Sequence, residues 1–178
     1  MARIQSVPKE KAQEPVKHIY EAIEKKAGKV PNIFLNMGNS APVLQGFLSL
    51  SEAAERTSLS PKLREQIALA TSESNSCGYC LAAHTMMAKG TGMTPENTIE
   101  ARKGVSSDPK TQAVLSFVKK VVEKRGAISD QDFSILKNAK LTDKEIVEII
   151  LVINVNMFTN YFNHITDPAI DFPACQRL

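Results

Sequence analysis

The sequence is punctuated for helices, and this limits its fold more than any other feature. A proline follows a polar residue at Ser60-Pro61, Thr94-Pro95 and Asp108-Pro109. Each pair reads as an N-cap followed by Pro at the first helical position, where the missing N–H costs nothing. Thr142 with Glu145 forms a capping box, and Ser129 with Asp132 is a weaker relative. Gly28, Gly90 and Gly126 follow apolar-periodic stretches and read as helix stops. Between these marks, apolar residues recur three and four apart. Val114, Phe117, Val118, Val121 and Val122 are one such set, and Ile19, Ile23 and Ala27 another. No segment alternates with a period of two. Ile149 to Val155 is rich in β-branched residues, but its capped start and its length favour a buried helix.

The expected fold is therefore all-α. It has about eight helices, near 15–27, 41–57, 61–74, 77–89, 95–103, 109–125, 130–139 and 143–163. Residues 1–14 are expected to form an extended arm, and residues 15–178 a single helical domain. The 178 residues suffice for one domain with its own core.

Composition narrows the function classes. Hydrophobic residues make up 43% and charged residues 23%, an ordinary globular balance. The net charge of +3 is small, and no basic block interleaves with aromatics, so nucleic acid is not an expected partner. The first fifteen residues lack the apolar core of a secretory signal. Ile146 to Phe158 is the most apolar stretch, but it contains Glu148, Asn154 and Asn156, and reads as too short and too polar to span a bilayer. The chain is expected to be soluble and cytoplasmic, with no membrane partner. Its three cysteines, Cys77, Cys80 and Cys175, are an odd number, which argues against a secreted disulfide framework. In a reducing compartment a close cysteine pair points to catalysis, redox sensing or metal binding.

The pair lies in the run from Glu65 to Cys77-Gly78-Tyr79-Cys80-Leu81-Ala82-Ala83-His84. Asn75 or Ser76 can cap a helix beginning at about Cys77. At about 100° per residue, Cys80 stands about 60° from Cys77 around that helix and His84 about 20° from it, so all three share one face. His84 lies one turn beyond Cys80, within reach of its sulfur. A thiolate is the reactive form of cysteine, and two things favour it here: the unpaired N–H groups of the first turn with the positive dipole end, and an imidazole that can take the proton. The second thiol can then close a disulfide. Two other readings stand beside this one. The cysteines can be simple core residues. They can also join His84 and an acid in a zinc site, but no second closely spaced pair of ligands accompanies them, so no metal is expected.

Glu65, Cys77, Cys80 and His84 match the Glu-x11-Cys-x2-Cys-x3-His signature of the AhpD-like alkylhydroperoxidases, within the carboxymuconolactone decarboxylase superfamily. Ser60-Pro61, Arg64-Glu65 and Ala82-Ala83-His84 fit as well. The run from Asn156 to His164 is similar to the peroxidase-related branch. The resemblance spans about residues 31–172. It implies an all-helical fold assembled as trimers or hexamers, and peroxide reduction by the cysteine pair without metal or organic cofactor. By position, it makes Cys80 the peroxide-attacking thiolate, Cys77 the resolving partner, His84 the proton relay and Glu65 the residue that orients or charges that relay. The partners so implied are a hydroperoxide and a thiol or redox-protein reductant; no dinucleotide fingerprint is present. The family's hydroperoxidases carry a second relay histidine between the cysteines, where this chain has Tyr79. The alternatives are a disulfide-exchange adaptor and the lactone-decarboxylating lyase found elsewhere in the superfamily, which does not depend on a cysteine pair.

Tyr79 points away from the sulfur face by helical angle and is expected in packing or an interface. With His164 it is also a candidate to line the pocket. His164 can equally be a buried, hydrogen-bonded histidine or a helix C-cap. Glu73 is a possible substitute for Glu65, His18 reads as exposed, and Cys175 reads as a free, mobile tail thiol.

Overall fold

The computed structural model describes residues 2–178. Among them the secondary structure is nine α-helices and one 3-10 turn, Lys9–Lys11, with no strand. The helices are α1 (Val16–Ala27), α2 (Asn32–Met37), α3 (Ala41–Glu55), α4 (Pro61–Ser74), α5 (Gly78–Lys89), α6 (Pro95–Lys103), α7 (Pro109–Glu123), α8 (Asp130–Asn138) and α9 (Asp143–Thr166).

The caps act as the sequence implies. Ser60 accepts from the Leu63 N–H, and Asp108 from the Thr111 N–H. Thr94, Ser129 and Thr142 each close a reciprocal capping box. Gly28 ends α1 at a φ of +77°, a conformation that costs glycine little. The helix missed from sequence is α2. Its six residues are fewer than two turns and carry no repeat to read.

α4 is the central element. It packs against α5, α6, α7 and α9. The seven residues from Gln66 to Ser72 are all buried, as a helix surrounded by neighbours requires. α9 is the second core helix. Its Ile149 and Ile153 are almost wholly enclosed, and each such side chain contributes roughly 1.5–3 kcal/mol through burial. α9 runs for 24 residues, longer than the stretch weighed from sequence, and by length and hydropathy it could cross a membrane. Much of its apolar surface is instead buried in the protein core.

Both chain ends are docked. In the arm, the Arg3 N–H donates to the Thr166 carbonyl and the Val7 N–H to the Leu35 carbonyl, and Ala12 is buried. In the tail, the Arg102 guanidinium donates to the Gln176 carbonyl at 2.6 Å. Cys175 is a free thiol, but it is half-buried and packs on the small cluster of Leu69, Leu81, Ala88, Met93 and Ala101, so the expectation of a mobile tail thiol is corrected. The buried Arg102 also forms an ion pair with the half-buried Glu73, 2.7 Å apart. Glu73 is thereby committed to structure and does not substitute for Glu65.

Candidate active site

A tight turn between α4 and α5 builds the site. The Cys77 N–H donates to the Ser72 carbonyl at 2.9 Å, and Ser76 takes a left-handed φ of +56° to make the reversal. Neither Asn75 nor Ser76 caps α5, which corrects the sequence expectation. Cys77 is itself the N-cap: its Sγ accepts from the Cys80 N–H at 3.4 Å. Asn75 instead ends α4. The cap fixes Cys77 beside the third residue of the helix, and the two sulfurs lie 2.7 Å apart as buried free thiols. Cys80 sits within the first turn, at the positive end of the helix dipole.

α9 supplies the rest of the sulfur environment. Asn163 Nδ2 donates to Cys80 Sγ at 3.2 Å, and Thr159 Oγ1 stands 4.0 Å from it. Asn160, fully buried, accepts from Asn75 Nδ2 at 2.9 Å and donates to Ser72 Oγ at 3.3 Å, tying α9 to the α4–α5 turn. Asn156, Asn160 and Asn163 are four and three residues apart, a stripe of buried amides on an otherwise apolar helix. That stripe was the available sequence signal for Asn163, whose role in the site was not read from the sequence.

His84 Nδ1 lies 2.9 Å from Glu65 Oε2, so α4 and α5 are joined directly at the proposed relay, with no intervening water needed. Among the described residues no hydrogen bond joins His84 to either sulfur. Its ring is drawn toward Glu65, and it acts on Cys80 through charge. Burial opposes protonation of His84. The Glu65 carboxylate outweighs that cost, with help from Cys80 and Asn156, and the pKa is raised.

The two thiols are driven apart electrostatically. The Cys80 pKa falls below the ordinary cysteine value, chiefly because the Cys77 thiol donates to it, against the cost of burial. The charge of His84 and the amides of Asn163 and Asn160 add to the effect. Cys77 is raised, first by that same hydrogen bond and then by burial. His84, one turn beyond Cys80, also favours the Cys80 thiolate. The larger influence is Cys77 itself, because the cap turns its sulfur onto Cys80.

Tyr79 is buried. Its hydroxyl donates to Asp171 Oδ1 at 2.7 Å and accepts from the Ile33 N–H at 3.2 Å, while its ring meets Phe172 edge-on at 5.5 Å. Burial, followed by the bond to Asp171, pushes its pKa up. It packs the tail against α5 and also lines the cavity described below. His164 does neither. It is exposed, and its Nε2 lies 2.8 Å from the Asn75 carbonyl at the end of α4, so its expected place in the pocket is corrected. His18 is exposed.

Cys80, His84 and Glu65 open onto a cavity of about 560 Å³ between α1, α2, α3, α4, α5 and α9. Its walls are mostly apolar; Ile33, Phe47, Ala83, Met87 and Val152 are typical. The volume is in the range of pockets that hold organic molecules, about 300–1,000 Å³. Among the described residues, no three His, Cys, Asp or Glu side chains gather as a group able to hold a metal.

Similar proteins share this architecture. The AhpD-core, peroxidase-related protein of Ralstonia eutropha JMP134 superposes with a TM-score of 0.83 at 21% identity, over 97% of this chain and 92% of that one. A peroxidase-related protein of Silicibacter sp. TM1040 gives 0.79 at 22% identity, over 94% of both chains. The debrominase Bmp8, in a cysteine-to-alanine form complexed with 2,3,4-tribromopyrrole, gives 0.82 at 19% identity, over 96% of this chain and 92% of that one. At these identities the likeness establishes the fold. Among curated proteins no sequence gives a significant match. The sequence profile of the Carboxymuconolactone decarboxylase family matches residues 41–123, which span α3 to α7 and include Glu65, both site cysteines and His84. Residues 41–123 are thus similar in sequence to the Carboxymuconolactone decarboxylase family, and the chain as a whole has the AhpD-like helical fold.

Proposed function

We propose that this protein is a thiol oxidoreductase that reduces organic hydroperoxides through Cys80 and Cys77. The observation that carries the reading is a buried dithiol, polarised so that Cys80 ionises first, at the wall of an apolar cavity that also contains a His84–Glu65 pair. His84 takes the Cys80 proton. The thiolate attacks the terminal peroxide oxygen and the O–O bond breaks. The departing alkoxide takes the proton from His84, leaving Cys80 as a sulfenic acid. The Cys77 sulfur then attacks Cys80, and water leaves with the Cys77 proton. One hydroperoxide and two thiols have become one alcohol, one water and one disulfide. A thiol or redox-protein reductant restores the pair. With Tyr79 in place of a second histidine, His84 carries both proton transfers.

The test is titration of the reduced protein with cumene hydroperoxide, followed by peptide mapping. The expected product is one Cys77–Cys80 disulfide within the chain per peroxide consumed. Both cysteines remaining free, or bridged to Cys175, would remove the mechanism. Disulfide formation with a redox protein but not with peroxide would favour the adaptor reading. The fold shared with a debrominase supports a second reading, in which the same two electrons replace an aromatic C–Br bond with C–H and release bromide. Bromide release from 2,3,4-tribromopyrrole, with closure of the same disulfide, would establish it.

We also propose a homo-oligomer, a trimer or hexamer, working in the cytoplasm. Support for assembly comes from α9, where Val147 and Ile150 are exposed three residues apart and, two turns further on, Phe158, Tyr161 and Ile165 are exposed three and four apart. Light scattering at micromolar concentration is expected to give a mass of at least three chains; a monomer would refute it.

A further inference from the structure

If the cavity is the substrate site, its charges describe the substrate more closely than its volume does. Besides His84, five charged side chains line it: Lys26, Lys29, Glu55, Arg64 and Glu65. Four have partners of opposite charge in the fold. Lys26 pairs with Glu55 at 2.8 Å, Lys29 with Asp171 at 2.8 Å, and Glu65 with His84 at 2.9 Å. Arg64 does not. It is half-buried, and its Nη1 donates to the Leu59 carbonyl at 2.5 Å. Among the described residues no carboxylate lies within 4.0 Å of its guanidinium. That one bond uses one of five N–H donors. A partly desolvated guanidinium with donors to spare is expected to recruit an anion, and its planar fork matches a single carboxylate.

The rest of the wall limits what can carry that anion. Phe47, Ile33, Ala83, Met87 and Val152 offer apolar surface that a small polar molecule would leave unsatisfied. Arg64 adjoins Glu65 on α4, so the cation and the relay carboxylate face the same cavity from one helical turn. We infer that Arg64 is a carboxylate-binding residue that sets specificity. The cavity takes an amphipathic acid, with its apolar body against the wall and its carboxylate on Arg64. This rests on the cavity being the substrate site of the proposed oxidoreductase.

Two measurements separate this inference from that reading. The first is calorimetric binding of decanoate and decanol to the reduced protein. Decanoate is expected to bind at least about tenfold more tightly, in line with hydrogen bonds to a charged group. Arg64→Gln is expected to erase the ratio, and Arg64→Lys, which keeps the charge, to retain part of it. A merely structural role would weaken both ligands together. Equal affinities in the unmodified protein, or a ratio that survives in Arg64→Gln, would overturn the inference. The second compares turnover of a fatty-acid hydroperoxide with that of its methyl ester. The acid-to-ester ratio of kcat/KM is expected to fall about tenfold or more in Arg64→Gln. If neither hydroperoxide is consumed while decanoate binding still depends on Arg64, the peroxidase reading fails and the anion site stands. If acid and ester are consumed equally well, the anion site fails and the peroxidase reading stands.

Discussion

Cys80→Ser is expected to lower hydroperoxide consumption by on the order of 10³-fold or more, the scale of losing a nucleophile. Cys77→Ser is expected to fail differently. With Cys80 intact, the first peroxide is still reduced, but no neighbouring thiol remains to expel water from the sulfenic acid. One equivalent is consumed, and the product should be trapped by a sulfenate-specific carbon nucleophile and located on Cys80 by mass. With its neighbouring thiol gone, that intermediate is expected to persist until an external thiol reaches Cys80 through the cavity. Cys77→Ala, which leaves no donor beside Cys80, should in addition slow the first step, since the Cys77 thiol is the main influence lowering the Cys80 pKa. Rapid-mixing measurement of the first turnover separates these two effects. A single turnover in Cys80→Ser, with Cys77→Ser inert, would reverse the roles.

Much of this arrangement can be read from the residues. Helix ends were legible because proline, serine, threonine and aspartate act locally: a cap such as Thr142 with Glu145 needs nothing beyond four residues of chain. The grouping of Cys77, Cys80 and His84 was legible for the same reason, since it follows from helical spacing. What escaped the sequence depends on distant segments. Asn163 is 83 residues from Cys80 and reaches it only because α9 packs on α5. The fate of Tyr79 depended on Asp171 and Phe172, carried over it by a tail that shows no periodicity. His164 illustrates the opposite error: its sequence neighbours are buried amides, but one helical step turns its own ring to the surface, where it meets the Asn75 carbonyl. The cap at Cys77 was missed because serine and asparagine are the commoner N-caps, and the thiol took a place they usually hold.

The influences on Cys80 can be apportioned by experiment, and the expected order is specific. Thiolate absorbance is followed against pH in variants that retain Cys80. Cys77→Ala, which removes the donated thiol hydrogen bond, is expected to raise the Cys80 pKa most. His84→Ala is expected to raise it by about one unit, as loss of a nearby opposite charge does. Asn163→Ala removes an amide donor and is expected to act in the same direction; Asn163→Asp should exceed it, because a carboxylate then faces the thiolate.

The signs for pH dependence follow from the two shifts. Cys80 is depressed, so its reactive form persists to lower pH than for an ordinary cysteine, and the rate falls only as pH drops through that lowered value. His84 is raised, so the imidazolium proposed to protonate the leaving alkoxide survives to higher pH and is lost as pH rises through its folded value. The profile should be a bell bounded by the coupled pair. Glu65→Gln removes the charge that holds the proton on His84, so the alkaline limb should move to lower pH. Because the imidazolium is also weakened as a counter-charge, the Cys80 limb should move up and the bell should narrow from both sides. In a His84→Ala background, Glu65→Gln should change little, the non-additivity of two groups acting as one relay. Additive effects would mean that Glu65 acts on the cavity independently of His84. A Cys80 pKa indifferent to His84 but raised by Cys77→Ala would leave the thiol pair as the main determinant of the thiolate and confine the histidine to the leaving group.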